Sequence, residues 1–170
     1  MLAAFILLII TSSFATLPLG EGDLQWGASA QTLMEHYNAV KVDPQNPQGN
    51  HFTEFMEIDP VVYIDRSATG KKVEFYFYQG KLYKTFLIHL DQSTAQARYE
   101  EKIKRLTESL GTPSKQHQSI VYSIPVFHTI WEFEDEQYDV RFGAGYIYEV
   151  RTHKPTAEEK KRVQDNWQLI

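Results

Sequence analysis

The sequence predicts an α+β fold: an antiparallel β-sheet with helices packed on one face, in an order that admits two helix–strand repeats, plus a C-terminal helix. Three observations predict it. Two segments carry apolar residues at helical spacing, and each is followed by short alternating segments separated by turns. Strands joined by such short turns pair antiparallel. Each helix has one apolar stripe, enough to cover one face of a sheet.

The chain opens MLAAFILLIITSSFATLPLG. Leu2 to Ile10 is an unbroken apolar run, and Ser13-Phe14-Ala15 sets small residues at the two positions a signal peptidase reads. Residues 1–15 are expected to be a signal peptide, followed by one α+β domain over 16–154 and a helical tail over 155–170. The alternative is an uncut membrane anchor over 2–19. There is no Cys, which excludes a lipoprotein anchor and any disulfide. An exported chain of this kind must rely on an ordinary core. Missing disulfides and the lack of an Asn-x-Ser/Thr acceptor fit a bacterial periplasmic or extracellular protein. A net charge of −5 disfavours nucleic acid as a partner, and membrane contact is expected only through an uncut N-terminal segment.

Leu24-Gln25-Trp26-Gly27 reads as an entry strand ending in a flexible Gly. Ser29 caps a helix whose stripe is Ala30, Leu33, Met34, Tyr37 and Val40. DPQNPQGN, from Asp43 to Asn50, is a loop. Val61–Asp65, Val73–Tyr78 and Leu82–His89 read as strands, with RSATGKK and Gln79-Gly80 as turns. Ser93 or Thr94 caps a second helix, with Tyr99, Ile103, Leu106 and Leu110 on one face and Glu100–Lys104 and Glu101–Arg105 pairs on its wet side. Gly111 and Pro113 end it. Ser119–Ile124, Phe127–Phe133, Tyr138–Phe142 and Tyr146–Thr152 are four further strands. Thr156-Ala-Glu-Glu159 is a capping box for the last helix, with Val163 and Trp167 on one side. Helix and three strands, then helix and four strands, suggest a duplication at roughly 65–70 residues.

The hairpin EFYFYQGKLYKTF carries the functional expectation. A two-residue turn at Gln79-Gly80 pairs Tyr78 with Lys81, Phe77 with Leu82, Tyr76 with Tyr83 and Phe75 with Lys84. Alternation then sends Val73, Phe75, Phe77, Leu82, Phe86 and Ile88 to a dry face. Glu74, Tyr76, Tyr78, Tyr83, Thr85 and His89 take the other. Tyr offers apolar area with a solvated hydroxyl, so Tyr76, Tyr78, Tyr83, Thr85 and His89 form the candidate binding face for an envelope protein or a glycan. The competing reading is that these Tyr residues only stabilise the sheet and are covered by the C-terminal helix.

No catalytic motif is legible, and no cofactor or metal is implied. Gly27-Ala-Ser29-Ala-Gln31 lacks the last Gly of a nucleophile elbow. Ala68-Thr69-Gly70-Lys71-Lys72 lacks the Ser/Thr of a phosphate loop. The six His residues are scattered singly, and the carboxylates of Trp131–Asp139 do not fit a calcium loop. An enzyme or ligand carrier would instead have to gather His89 or His128 with a carboxylate in a concave pocket.

Trp26-Gly27 before a helix, Tyr78 to Leu82 as an aromatic-x-Gly-Lys-Leu hairpin, and Leu110 to Pro113 closing the second helix resemble a group of small exported bacterial α+β domains. Several of these are similar in architecture to the β-lactamase inhibitory protein, whose duplicated helix–sheet units present an open sheet face to a protein partner. The resemblance implies a protein-binding sheet. The inhibitory protein's disulfides have no counterpart here, so inhibition of that enzyme does not carry over. The expected function is therefore an exported, non-enzymatic binding or envelope-associated module, with a small hydrolase or ligand carrier as the alternative.

Overall fold

A computed structural model describes residues 24–42, 61–65 and 70–167. Expectations for the signal segment, the Asp43–Asn50 loop and residues 66–69 lie outside that range. The elements are α1 (Ala30–His36), β1 (Ala39–Lys41), β2 (Val61–Asp65), β3 (Lys71–Tyr78), β4 (Lys81–His89), α2 (Ala95–Leu110), β5 (Lys115–Val121), β6 (Ile124–Glu132), β7 (Glu136–Gly143), β8 (Tyr146–His153) and α3 (Lys154–Trp167). All eight strands form one antiparallel sheet in the order β1-β2-β3-β4-β8-β7-β6-β5. The fold is α+β, as expected, and it consists of two helix-plus-four-strand units joined at the β4–β8 seam. Corresponding positions recur at one interval of about 65 residues: Ala30 and Ala95 open α1 and α2, and Gly80 and Gly145 close matching hairpin turns. Both glycines have positive φ, as does the residue before each, so both turns have the twist that suits a two-residue hairpin.

Both predicted helix faces pack on the same side of the sheet. Leu33 of α1 is fully buried with Val73, Phe75, Phe77, Leu82 and Leu87. Tyr99, Ile103 and Leu106 of α2 cover Trp131, Tyr138, Val140 and Ile147. Each large side chain taken fully out of water is worth about 1.5–3 kcal/mol, so these two stripes fix the helices. Ser29 caps α1 by accepting from the Thr32 N–H at 3.1 Å.

Several expectations need correction. Leu24–Gly27 is no strand: Trp26-Gly27 forms a turn, and Gly27 N donates to Leu82 O. The α1 stripe stops early, because Tyr37 is already extended and Val40 lies in β1, the strand that periodicity missed. Met34 and Leu110 are exposed. No side-chain hydrogen bond caps α2 at Thr94, and Ser93 bonds Asp91 instead. Glu101–Arg105 pairs at 2.8 Å, while Glu100 accepts from Gln96. The β5–β6 turn falls at Tyr122-Ser123, three residues before the Pro125-Val126 gap between the expected strands. Pro125 is tolerated inside β6 because it lies past the end of β7, whose last residue, Gly143, pairs with Val126. Helix α3 begins at Lys154, directly after β8, and Thr156 receives its contact from His153 Nδ1 at 2.8 Å instead of opening the helix.

Candidate functional site

A β-bulge rearranges the hairpin on which the sequence reading rested. Tyr78 pairs with Lys81 and Phe77 with Leu82, as expected, but Tyr76 then pairs with Lys84 and Phe75 with Thr85. Tyr83 is the extra residue. A bulge of this kind sets two successive side chains on one side and inverts the parity beyond it. Thr85 and His89 therefore lie on the α1/α2 side, not beside Tyr76, while Phe86 and Ile88 join the Tyr residues.

The Tyr face is also not an open platform. Tyr76 is 1 % and Tyr83 2 % exposed, packed with Phe86, Ile88, Tyr148 and Val150, and Tyr78 is half-buried. Helix α3 supplies the cover: Ala157 packs on this cluster, and the buried Lys160 donates from Nζ to the Tyr83 hydroxyl at 2.9 Å. Tyr76 donates to Glu74 at 2.6 Å. Val163 is half-buried; the Trp167 side chain lies outside the described residues. Of the five predicted residues, Tyr76, Tyr78 and Tyr83 share one face, and Thr85 and His89 share the opposite one.

His89 does meet a carboxylate. Its Nε2 lies 2.5 Å from Glu149 Oε1, which also accepts from Lys102 Nζ at 2.8 Å, and the Tyr138 hydroxyl donates to Oε2. Burial alone would raise the Glu149 pKa. The hydrogen bond with His89, the charge and hydrogen bond of Lys102, and the Tyr138 hydroxyl outweigh it and bring the pKa down to about 2. Burial, with Glu149's charge next, pushes the Tyr138 hydroxyl far upward, so it remains a donor. Two members of this group, His89 and Lys102, line a cleft of about 380 Å³ together with Arg98, Glu101, Arg105 and two apolar residues. His89 Nδ1 is shielded from solvent and has no hydrogen-bond partner among the described residues, an arrangement that costs about 1–3 kcal/mol.

A second polar chain crosses three strands on the other face. Ser119 Oγ lies 2.8 Å from His128 Nε2, and His128 Nδ1 lies 3.0 Å from Asp139 Oδ2, which also accepts from Arg141 Nε at 2.7 Å. The His117 ring stacks on His128 with centroids 4.5 Å apart. The connectivity is that of a nucleophile, base and orienting acid. Ser119 sits in mid-strand, however, in the hydrogen-bonded position two residues before the turn, so its own N–H belongs to the β6 ladder. One oxyanion donor contributes about 2.7–4 kcal/mol to such catalysis. Ser119's own N–H, committed to the ladder, is not such a donor, and the polar chain fixes His128 between β5 and β7.

The neighbouring hairpin tip is the most exposed apolar feature among the described residues. Ile120 is 66 % and Tyr122 88 % exposed, and Val121, Ile124 and Phe127 are exposed beside them. Alternation sends Ile120 and Phe127 to the helix side, beyond the reach of α2, and Val121 and Ile124 to the other side. Tyr122 and Ser123 both have positive φ, a conformation that Gly and Asn adopt cheaply and Tyr does not. Comparison with protein-family models, with curated proteins and with solved structures gives no match.

The sequence reading missed this tip because its turn lacks the usual glycine. The signal was present in SIVYSIPVF, where an apolar run alternates with no polar face.

Proposed function

We propose that this protein is a non-enzymatic binding module that captures an extended segment of another protein along β5, using the apolar β5–β6 tip as its anchor. The observation that carries the reading is Tyr122: a large aromatic side chain exposed to 88 % on a turn where its backbone is strained. Such strain costs on the order of 1–2 kcal/mol and is kept where a site uses it. Large apolar groups on both sides of one hairpin serve a partner better than they serve a monomer.

The edge supplies the second half of the recognition. β5 is the outer strand of the sheet and spans seven residues. With Val121 and Ile124 flanking a two-residue turn, the backbone groups of Gln116, Gln118 and Ile120 point away from β6, where no strand among the described residues pairs with them and an added strand can. Only Lys115 in β5 carries a charge of the kind that guards edges, and it stands at the end away from the tip. The exported, envelope-associated setting expected from the N-terminal pattern belongs to the same proposal.

A photo-crosslinking amino acid in place of Tyr122 tests this in cells. One discrete protein adduct is expected there and none from the same group at exposed Lys161 on α3. Gln118→Pro should abolish the adduct, because it removes an outward N–H without taking a bond from the β5–β6 ladder. Identical adducts from both sites, lipid adducts at 122, or an adduct indifferent to the proline would overturn the reading.

A further inference from the structure

We infer that the cleft between α2 and the ends of β4 and β8 binds a small organic anion, a phosphate or carboxylate group carried on an apolar ring. The site lies on the helix side of the sheet and is independent of the β5 edge. Three cations line it from one flank of α2: Arg98, Lys102 and Arg105, at the i, i+4, i+7 spacing that aims side chains the same way. Glu101 is the one carboxylate lining the cleft among the described residues, in a chain whose net charge is −5. Asp91 and Glu149 pair with Arg98 and Lys102 from beside the lining, so the attraction of an anion rests on guanidinium groups that can exchange a weak exposed partner for a stronger one, and not on net charge.

The three cations are not equivalent. Lys102 is committed to Glu149, which is itself saturated by His89 and Tyr138 and stays ionised. That buried group fixes His89 and Lys102 in the lining. Among the described residues Arg98 pairs with Asp91 and Arg105 with Glu101, both well exposed, at 3.0 and 2.8 Å. Exposed pairs of this kind are weak and screened, so either guanidinium can turn to a less solvated anion and grip it through two parallel N–H groups. Leu106 and Ile147 give the rest of the molecule an apolar seat. A volume of about 380 Å³ lies at the small end of ligand sites and suits a single ring with its anionic group. His89 lines the same cleft, with its Nδ1 buried and without a hydrogen-bond partner among the described residues.

Titration of the purified chain with phenyl phosphate, followed by calorimetry and NMR, decides the matter. Expected is saturable one-site binding, with shifts confined to His89, α2 and the start of β8. Arg98→Ala/Arg105→Ala should weaken it by about tenfold or more, and Glu101→Gln should tighten it by about two- to fivefold. Benzyl alcohol, the neutral counterpart, should not compete. No saturable binding, equal binding of benzyl alcohol, or a site indifferent to these charges would overturn the inference. Should the double variant melt early, the Glu101→Gln tightening and weakening by added salt decide in its place.

Discussion

Glu149 carries a pH dependence that can be worked out in sign. Its pKa falls from an ordinary 4.5 to about 2 on folding, so the fold favours the ionised form. That stability is fully present above pH 4.5 and is lost as pH falls through 2, and it amounts to about 3 kcal/mol. Glu149→Gln should therefore lower the melting temperature at pH 7 by about 6–12 °C, with the gap to the parent closing near pH 2. A gap that stays constant with pH would assign the loss to packing. Only His89 was legible in the sequence, as a histidine that a ligand site would bring to a carboxylate, and Glu149 is that carboxylate. His89, Lys102, Tyr138 and Glu149 come from four elements, and no local spacing links them. The place of His89 on the Tyr face was wrong, because one bulged residue at Tyr83 inverted the alternation.

Among the described groups that hold helix α3 to the sheet is a buried lysine. Lys160 is 5 % exposed, bonds the Tyr83 hydroxyl and lies 5.2 Å from the centre of that ring. A desolvated cation over an aromatic face adds about 2 kcal/mol to such a contact. Lys160→Ala should speed hydrogen exchange of α3 amides by about tenfold or more while leaving the centre of β4 and β8 unchanged. Equal acceleration in both would mean that α3 and the sheet open as one unit. At this scale the sequence was read well where pattern and punctuation agreed: α2 with its stripe and Gly111 stop, and the β3–β4 turn at Gln79-Gly80. It was read badly where they conflicted. Pro125, which fell between two expected strands, lies inside β6 where it interrupts no pairing with β7, and Tyr122-Ser123 makes a glycine turn without glycine.

Across the whole molecule, the two units share more than the β4–β8 seam. Trp26, from the entry to the first, donates to Glu136 of the second at 3.0 Å and stacks on His153. Arg151 binds the same Glu136 carboxylate. The halves should therefore unfold together, with tryptophan fluorescence and far-ultraviolet circular dichroism giving coincident denaturant transitions; two separated midpoints would show independent units. The repeat was visible in sequence as order and interval, but β1 was not, since three residues make no period. The sheet's two margins are unequal in consequence. A head-to-tail chain of copies needs a receptive strand at both ends, and this sheet has seven residues at one end and three at the other. Joining at β5 uses up the long margin, so each molecule takes one companion and the process stops. In this way a protein can keep a bare strand for recognition without seeding a fibre.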